Sequence, residues 1–326
     1  MSSTTSFYLQ VYYNRMEINR FLFECLLPLH EEAPEEDGFD FFHETSFHRG
    51  DHFKIYLIFK KSVSPDYIRE KYISKISLFL RENPSAPLDP TFYFPENFFL
   101  KYPNNSFQEF EINISMNKSF TESDFINEKL LDFLSRYTPN MLENRGTFND
   151  DLVFATGLVL SDSVATVLSD SRPEKADFFE WHFKESMPTA DYFSRKDKEL
   201  RKLKQKQIKE LAELMRRSYY EQKDTITSML EAFSDDVEDT DFYWLDDFRK
   251  DLFEIKHIIK EEKVILPHWF KYTSNTKTRL QDQEKWPIMA SILKHIYATL
   301  GLQEENSLQT LYMLKEYYKD AEKKLA

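Results

Sequence analysis

The chain has 326 residues and a formal net charge of −13, with 41% hydrophobic and 16% aromatic residues. This is enough apolar material for one large domain or two moderate ones, and the acidic balance argues against general affinity for DNA. The five glycines cannot form a phosphate-binding P-loop or a dinucleotide-binding GxGxxG motif, so classical nucleotide-binding enzymes are excluded.

Cysteine content and segment hydrophobicity predict a cytoplasmic protein. Cys25 is the single cysteine, so an internal disulfide cannot form. The N-terminal MSSTTSFYLQ lacks the basic start and apolar stretch of a secretion signal, and no apolar run approaches the roughly 20 residues of a membrane span. Because Cys25 lies within an apolar helical pattern, we expect it to be buried rather than to act as a nucleophile.

The N-terminal third alternates between strand and helix patterns. Aromatic and β-branched residues alternate over residues 6–13, and an apolar helical face follows until Pro28. Two strands are predicted at 39–47 and 52–60, and a helix begins at Ser64. Further strand patterns occur at 91–99 and 107–114. The order β-α-β-β-α-β is that of a ferredoxin-like unit, with one strand more.

From about residue 120 the periodicity is helical. Helices are predicted at 122–137, 150–168, 196–233, 240–262, 284–300 and 304–324. The sequence therefore predicts an α+β fold, in which a ferredoxin-like mixed sheet in residues 1–120 packs against a mainly helical part, residues 121–326, of the same compact unit.

The strand at 52–60 carries the clearest candidate site. Alternation places Phe53, Ile55, Leu57 and Phe59 in the core, and His52, Lys54, Tyr56 and Ile58 on the other face. A histidine, a lysine and a tyrosine about 7 Å apart on one sheet face can handle protons or hold an anion. His43 and His48 could join them. The alternative is an ordinary solvated sheet face.

Other catalytic signatures are missing from the sequence. The spacing of the eight histidines matches no HxxxH, HExxH or cysteine-paired ligand pattern, so we expect no metal. No GxSxG or SxxK motif supports a serine nucleophile. No cofactor is expected.

A basic stretch at residues 195–209 contains eight basic and two acidic side chains. Its cations are Arg195, Lys196, Lys198, Arg201, Lys202, Lys204, Lys206 and Lys209. Such a helix face can dock an acidic peptide or an RNA backbone. The alternative is a solvated face that pairs with the acidic run at 235–241.

Two separated segments resemble one enzyme family. The first comprises FYLQVYYN (7–14), FDFF (39–42), ETSF (44–47) and HRGDHFKIYLIF (48–59), and the second is WPIMASILKHIYATLGL (286–302). Together they resemble the C-terminal elimination domain of lantibiotic dehydratases and the related thiopeptide-type bacteriocin biosynthesis proteins. In that family a strand like FFIRY precedes HLRLRF, and a late helix has the form SxxHMxxNRL.

The chain departs from the family pattern at its charged positions. The arginine of FFIRY falls on Thr45, and those of HLRLRF fall on Lys54 and Tyr56, while His52 is kept. In the late helix the histidine falls on Lys294 and the Asn-Arg pair on 298–299. For a further family arginine the nearest candidate is Asn113. Lysine replaces poorly the bidentate fork with which arginine holds a departing carboxylate.

The departures favour a branch of the family, the thiopeptide pyridine synthases, in which the same fold joins two dehydroalanines by a formal [4+2] cycloaddition with loss of water and of the leader peptide. The resemblance then implies His52, Lys54 and Tyr56 as proton and polar groups. The facing wall would consist of Lys294, His295 and Tyr297.

The implied partner is a precursor peptide whose leader docks on the basic stretch. One alternative is a glutamate-elimination subunit that acts with a separate glutamylating dehydratase. The other alternative is a non-catalytic member of the family that binds the leader peptide.

Overall fold

The computed structural model describes residues 5–46, 52–87, 102–111, 120–187, 198–233, 243–262, 264, 285–302 and 304–323. The chain divides into two compact units. The first comprises Met1–Ser119 and Asn127–Thr147, and the second comprises Phe120–Ile126 and Phe148–Ala326. The assignment of 1–120 and 121–326 as parts of one compact unit stays a prediction.

The first unit contains a four-stranded sheet. Its strands are β1 (Thr5–Tyr12), β2 (Phe39–Ser46), β3 (His52–Phe59) and β4 (Ser106–Glu111). They lie in the order β2-β3-β1-β4, and all three pairings are antiparallel, so the described sheet is antiparallel rather than mixed. This is the ferredoxin-like order, and the predicted α+β class is confirmed. The strand pattern at 91–99 lies outside the described residues.

Two helical segments follow β1 and β3. Helix α1 consists of Arg15–Glu17, Ile18–Phe21, Leu22–Leu26 and Leu27–Glu31, and α2 of Pro65–Ile68, Arg69–Ile73 and Ser74–Glu82. The prediction that Pro28 ends α1 is wrong, because the helix continues to Glu31. A π-type turn at Leu22–Leu26 widens the helix directly before Pro28, which has no amide proton to donate.

The core of the first unit lies between one face of the sheet and these helices. It includes Phe41, Phe53, Ile55 and Leu57 from the strands, as the alternation of 52–60 predicts. Cys25 is buried in the same cluster, and this burial raises the pKa of its thiol to about 12. The reactive thiolate is therefore disfavoured, in agreement with a packing role.

The remaining helices are α3 (Asp124–Thr147), α4 (Asp150–Leu168), α5 (Arg172–Ser186), α6 (Lys198–Ala232), α7 (Leu245–Glu261), α8 (Trp286–Leu300) and α9 (Glu304–Lys323). Helix α5 was not predicted, and α3 runs ten residues beyond its predicted end. In α5 the neighbouring residues Phe178, Phe179 and Trp181 are all buried, so apolar residues lie on more than one side and give no simple amphipathic stripe.

Helix α4 is the apolar centre of the second unit. By length and composition it is the one helix among the described residues that could cross a membrane. Yet 61% of its apolar 18-residue segment is buried inside the protein, as in a core helix. Gly157 in this helix lies so near Leu302 that a Cβ atom would come within 2.5 Å of the leucine Cδ1. Leu302 follows Gly301, which ends α8 in the left-handed conformation.

Candidate functional site

The candidate site lies on the sheet face opposite the core, here called the polar face. Directly opposed residues of antiparallel strands share a face, so the register defines its members. Tyr56 lies between Tyr8 and Phe42, and Lys54 lies between Gln10 and Glu44. Together with Tyr12 and His52 these side chains make up the polar face. The predicted direction of His52, Lys54 and Tyr56 away from the core therefore agrees with the register.

The polar face is buried. His52 is 1% exposed and Tyr56 is 4% exposed, so the alternative of an ordinary solvated sheet surface does not describe them. Lys54 and Glu44 keep 27% and 25% of their side chains exposed. Polar groups at such low exposure need partners, and the contacts that follow supply several.

An aromatic row crosses the face at Tyr56. The ring of Tyr56 stacks on that of Tyr8, with centroids 4.9 Å apart, and lies 5.6 Å from the ring of Phe42. Burial raises the pKa of Tyr56 well above its ordinary value, and the Glu44 carboxylate adds to the effect. The phenol therefore stays neutral at physiological pH and serves as a hydrogen-bonding group rather than as a base.

A charged pair lies beside this row. The ammonium group of Lys54 donates to the Glu44 carboxylate on the neighbouring strand, where the two residues are directly opposed. Each charge compensates the other at the low exposure of this face. Lys54 is thus an ion-paired group and not an isolated cation.

A third group of contacts starts at His52, whose ring centroid lies 5.3 Å from that of Tyr12. The Tyr12 hydroxyl donates to Oε1 of Gln10 at 3.1 Å, and Nε2 of Gln10 donates to the Tyr8 hydroxyl oxygen at 2.9 Å. Tyr12 also packs against Tyr102, with centroids 4.8 Å apart. These contacts connect the histidine end of the face with its aromatic row.

The suggestion that His43 joins this face is wrong. His43 is directly opposed to Ile55 and therefore lies on the core face. Burial, with a smaller contribution from the nearby Arg145 guanidinium, lowers the pKa of its imidazole to about 4. His43 is accordingly a neutral core histidine. His48 lies outside the described residues.

The late helix α8 places its three predicted side chains differently. Lys294 is exposed, whereas His295 is buried, with Nε2 lying 3.3 Å from the Thr299 hydroxyl. The Tyr297 hydroxyl lies 2.9 Å from Oγ of Ser161, which itself donates to the Gly157 carbonyl. Tyr297 therefore donates to Ser161, and its burial raises its pKa. A shared site of α8 and the polar face stays a prediction.

The basic stretch begins helix α6. Lys202, Lys206 and Lys209 are exposed, and the carboxylate of Glu210 lies 3.7 Å from the Lys206 ammonium group. Arg195 and the acidic run at 235–241 lie outside the described residues. Three more residues that were predicted to bind the peptide lie in α6, but their side chains are not described: Lys198, Arg201 and Lys204.

A separate cleft of about 210 Å³ lies in the second unit, where Tyr219 and Lys223 of α6 meet Asp320 of α9. It contains none of the predicted site residues. Asp320 accepts from the Lys223 ammonium group at 2.5 Å and from the Tyr219 hydroxyl at 3.2 Å, so these groups satisfy one another. Among the described residues, no cluster of three or more histidine, cysteine, aspartate or glutamate side chains is placed to bind a metal ion.

Sequence reasoning missed Tyr8, Gln10 and Tyr12. The signal was present, because SFYLQVYY alternates and its odd and even positions must face opposite sides. Placing these residues beside His52 and Tyr56 requires the strand order, in which β1 neighbours β3. The ferredoxin-like alternation would have supplied that order.

Comparisons with known proteins find similarity in structure only. No protein-family model matches the chain, and no curated protein matches its sequence. Among solved structures the fold is similar to that of the pyridine synthase TbtD from thiomuracin biosynthesis, with a TM-score of 0.64, 15% identity and coverage of 97% of this chain and 98% of that one. It is also similar to TsrL, with a TM-score of 0.55, 15% identity and coverage of 98% and 96%. The chain shares their fold over nearly its whole length.

Proposed function

We propose that the protein modifies a ribosomally made peptide by joining two dehydroalanine residues in a formal [4+2] cyclisation. The support is the resemblance of two sequence segments to thiopeptide biosynthesis proteins together with the full-length fold likeness to a pyridine synthase. Fold alone does not determine function, so the choice of reaction rests on the polar face.

The observation that carries the choice is the pairing of Lys54 with Glu44. Glutamate elimination needs a cation for the departing carboxylate, and arginine is the side chain suited to that task. Among the side chains named above as the polar face, Lys54 is the only lysine or arginine, and its charge is already compensated. The family's other arginine falls on Thr45, which is opposed to Phe53 and therefore lies on the core face rather than on the polar face. A neutral substrate therefore suits this face better than a glutamyl ester.

Cyclisation makes different demands. Two C–C bonds form: the methylene carbons of the two dehydroalanines join, and Cα of the leader-linked dehydroalanine joins the iminol carbon of the amide on the other one. The iminol hydroxyl then leaves with one ring proton as water. The bond from Cα to the leader nitrogen breaks with loss of a second ring proton, so the leader departs as its amide and no oxidant or reductant is consumed. The reaction needs the two alkenes to be held close together and neutral groups that donate hydrogen bonds to amide oxygens. The stacked phenols of Tyr8 and Tyr56 and the nearby His52 and Gln10 are groups of this kind.

The test is incubation of the purified chain with a leader-linked peptide that carries two dehydroalanines. We expect release of the leader, loss of water and a new pyridine absorbance. Mass spectrometry measures the first two changes, and ultraviolet spectroscopy measures the third. The same peptide with alanine at both positions serves as the matched control and should remain unchanged. Removal of glutamate from a glutamylated peptide with its leader intact would select elimination instead. A stable complex of unchanged peptide mass would select a binding protein.

Leader recognition is proposed for the basic start of α6, where Lys202 and Lys206 are exposed. Exchange of both lysines for glutamate should raise KM about tenfold and leave kcat nearly unchanged, because only binding to the unreacted part of the substrate is weakened. Exchange of Lys250 and Lys260, two exposed lysines of α7, for glutamate is the charge-matched control. Equal losses in kcat and KM would contradict the assignment.

A further inference from the structure

One face of helix α6 extends from its basic start to the cleft of the second unit. Its side chains recur every three or four residues, the spacing that places helical residues on the same face. This face consists of Lys202, Lys206, Lys209, Glu213, Arg216, Tyr220, Lys223, Thr227 and Glu231. The last three members also line the cleft, so the basic start and the cleft lie on the same side of the helix.

The cations along this face differ in how far their charges are compensated. The Arg216 guanidinium pairs with the Glu213 carboxylate at 2.8 Å, and the Lys223 ammonium group pairs with Asp320. Lys209 is exposed and has no ion pair among the described residues. An acidic ligand that lies along the face is therefore attracted most strongly near its basic start.

The cleft presents donors that no acceptor in the described part of the chain uses. Arg172, the first residue of α5, is exposed, lines the cleft and has no ion pair within the described ranges. Thr227 and Tyr317 also line the cleft, and neither hydroxyl group has a hydrogen-bond partner among the described residues. An acceptor group that enters the cleft thus meets one guanidinium and two hydroxyl groups, which three different helices supply.

The size and charge of the cleft indicate the kind of group that it takes. Its volume of about 210 Å³ is below the roughly 300–1,000 Å³ of sites for drug-sized ligands, so it suits one side chain rather than a whole molecule. A guanidinium binds a carboxylate through two parallel hydrogen bonds. Burial raises the pKa of Tyr317, and the Asp162 carboxylate adds to this effect, so the phenol remains a donor.

We propose that this face of α6 guides an acidic peptide segment from the basic start to the cleft, where Arg172 binds one carboxylate of that segment. The proposal rests on the proposed function, because it identifies the segment as part of the leader of the peptide substrate. At 1.5 Å per residue, about 21 Å of helix separates Lys209 from Lys223. An extended peptide advances roughly 3.3 Å per residue, so about six residues span this distance.

A peptide suits this face better than a nucleic acid. Glu213 and Glu231 would repel a phosphate backbone, which is charged at every nucleotide, whereas a peptide can place neutral residues beside them. The net charge of −13 opposes nucleic acid as well. Because Glu231 also lines the cleft, it reduces the attraction for a carboxylate, and we expect Arg172 to contribute a moderate rather than a large part of the affinity.

The test measures the binding of two fluorescein-labelled peptides by fluorescence anisotropy at low ionic strength. The glutamate probe has four glutamates at one end and one glutamate about six residues further on, with an amidated C-terminus. The glutamine probe differs only in carrying glutamine at that last position. Wild type should bind the glutamate probe about tenfold more tightly, because only this probe offers a carboxylate to Arg172. Arg172→Gln should abolish the difference by raising the Kd of the glutamate probe alone.

Arg81→Gln, at an exposed arginine of α2 in the first unit, is the matched control and should leave both Kd values unchanged. Equal melting temperatures establish that the variants are folded. The proposal is overturned if wild type does not bind the glutamate probe, if it binds both probes equally, or if its preference survives Arg172→Gln. Tighter binding of a labelled oligouridine than of either probe would assign the face to RNA and overturn the proposal as well.

Assays with the leader-linked dehydroalanine peptide distinguish failure of this inference from failure of the proposed function. If wild type cyclises that peptide but binds the two probes equally, the inference is overturned and the proposed reaction stands. If the preference between the probes depends on Arg172 and no cyclisation occurs, the peptide site stands and the proposed reaction fails.

Discussion

Along strands β2 and β3, Phe41 and Leu57 lie in the apolar core, whereas their neighbours Phe42 and Tyr56 lie on the polar face. The core face is filled mainly by aliphatic and aromatic side chains, and the buried imidazole of His43 lies among them. The polar face joins stacked phenols to a charged pair and a glutamine. Because alternation separates the two sets, stability and chemistry can change independently on one sheet. Substitutions on the two faces should therefore differ in what they affect.

The largest effect is expected on the core face. Phe41→Ala removes a fully buried ring and leaves a cavity, so the free energy of unfolding should fall by about 3–5 kcal/mol. Denaturant unfolding measures the loss. Leu203→Ala, at an exposed position of α6, is the control and should change stability by less than about 0.5 kcal/mol. A fall at position 41 as small as that of the control would contradict the core assignment.

His43 should give the core face a pH dependence. The unfolded chain takes up a proton on this imidazole near pH 6.5, whereas in the folded protein burial and Arg145 hold the pKa at about 4. Below pH 6.5 the unfolded state binds more protons, so this histidine should lower the free energy of unfolding by about 3 kcal/mol as the pH falls from 6.5 to 4. His43→Leu should flatten that slope. An unchanged slope would mean that His43 is charged in the folded protein, or that another group causes the pH dependence.

On the polar face the charged pair should matter less for stability. Lys54→Met leaves the Glu44 carboxylate without its ammonium partner at a quarter exposure, and we expect a loss of about 1 kcal/mol. Adding Glu44→Gln should restore part of that loss, because the uncompensated charge disappears. A double-mutant cycle from urea unfolding measures the coupling. Additive effects of the two substitutions would show that the pair contributes nothing.

The smallest effect on stability is expected at Tyr56. Tyr56→Phe keeps the ring stacked on Tyr8 and removes one buried hydroxyl, so the free energy of unfolding should change by less than about 1 kcal/mol. Urea unfolding measures the change, and a loss of more than about 2 kcal/mol would contradict this order of effects.

The sequence predicted the sheet well because its signals are local. Alternation at 52–60 identified Phe53 and Leu57 as core residues, and the β-α-β-β-α-β order indicated a ferredoxin-like sheet, although the described sheet is antiparallel and not mixed as expected. The same reasoning failed for α5, because buried aromatic residues of this helix lie on several of its sides and hide the 3.6-residue hydrophobic period. It also failed at Pro28, where a π-type turn lets the helix continue past the proline.

The site was harder to predict because its contacts join distant positions. His52 and Tyr56 followed from alternation, but the pairing of Lys54 with Glu44 depends on the register between two strands. The direction of the Tyr12–Gln10–Tyr8 hydrogen bonds depends on side-chain conformation, which no spacing encodes. Sequence patterns therefore identify which side chains share a face, and only coordinates show how they are joined.

The position of β1 between β3 and β4 has a consequence for biosynthesis. This strand is the first to be translated, yet its partners end at residues 59 and 111, and the same core includes Leu142. At ribosomal rates of roughly 5–20 residues per second, about 7 to 26 s pass between the synthesis of residues 12 and 142. During that interval a nascent strand rich in aromatic residues has no complete sheet to join, so its apolar side chains and unpaired edges stay exposed to association with other chains.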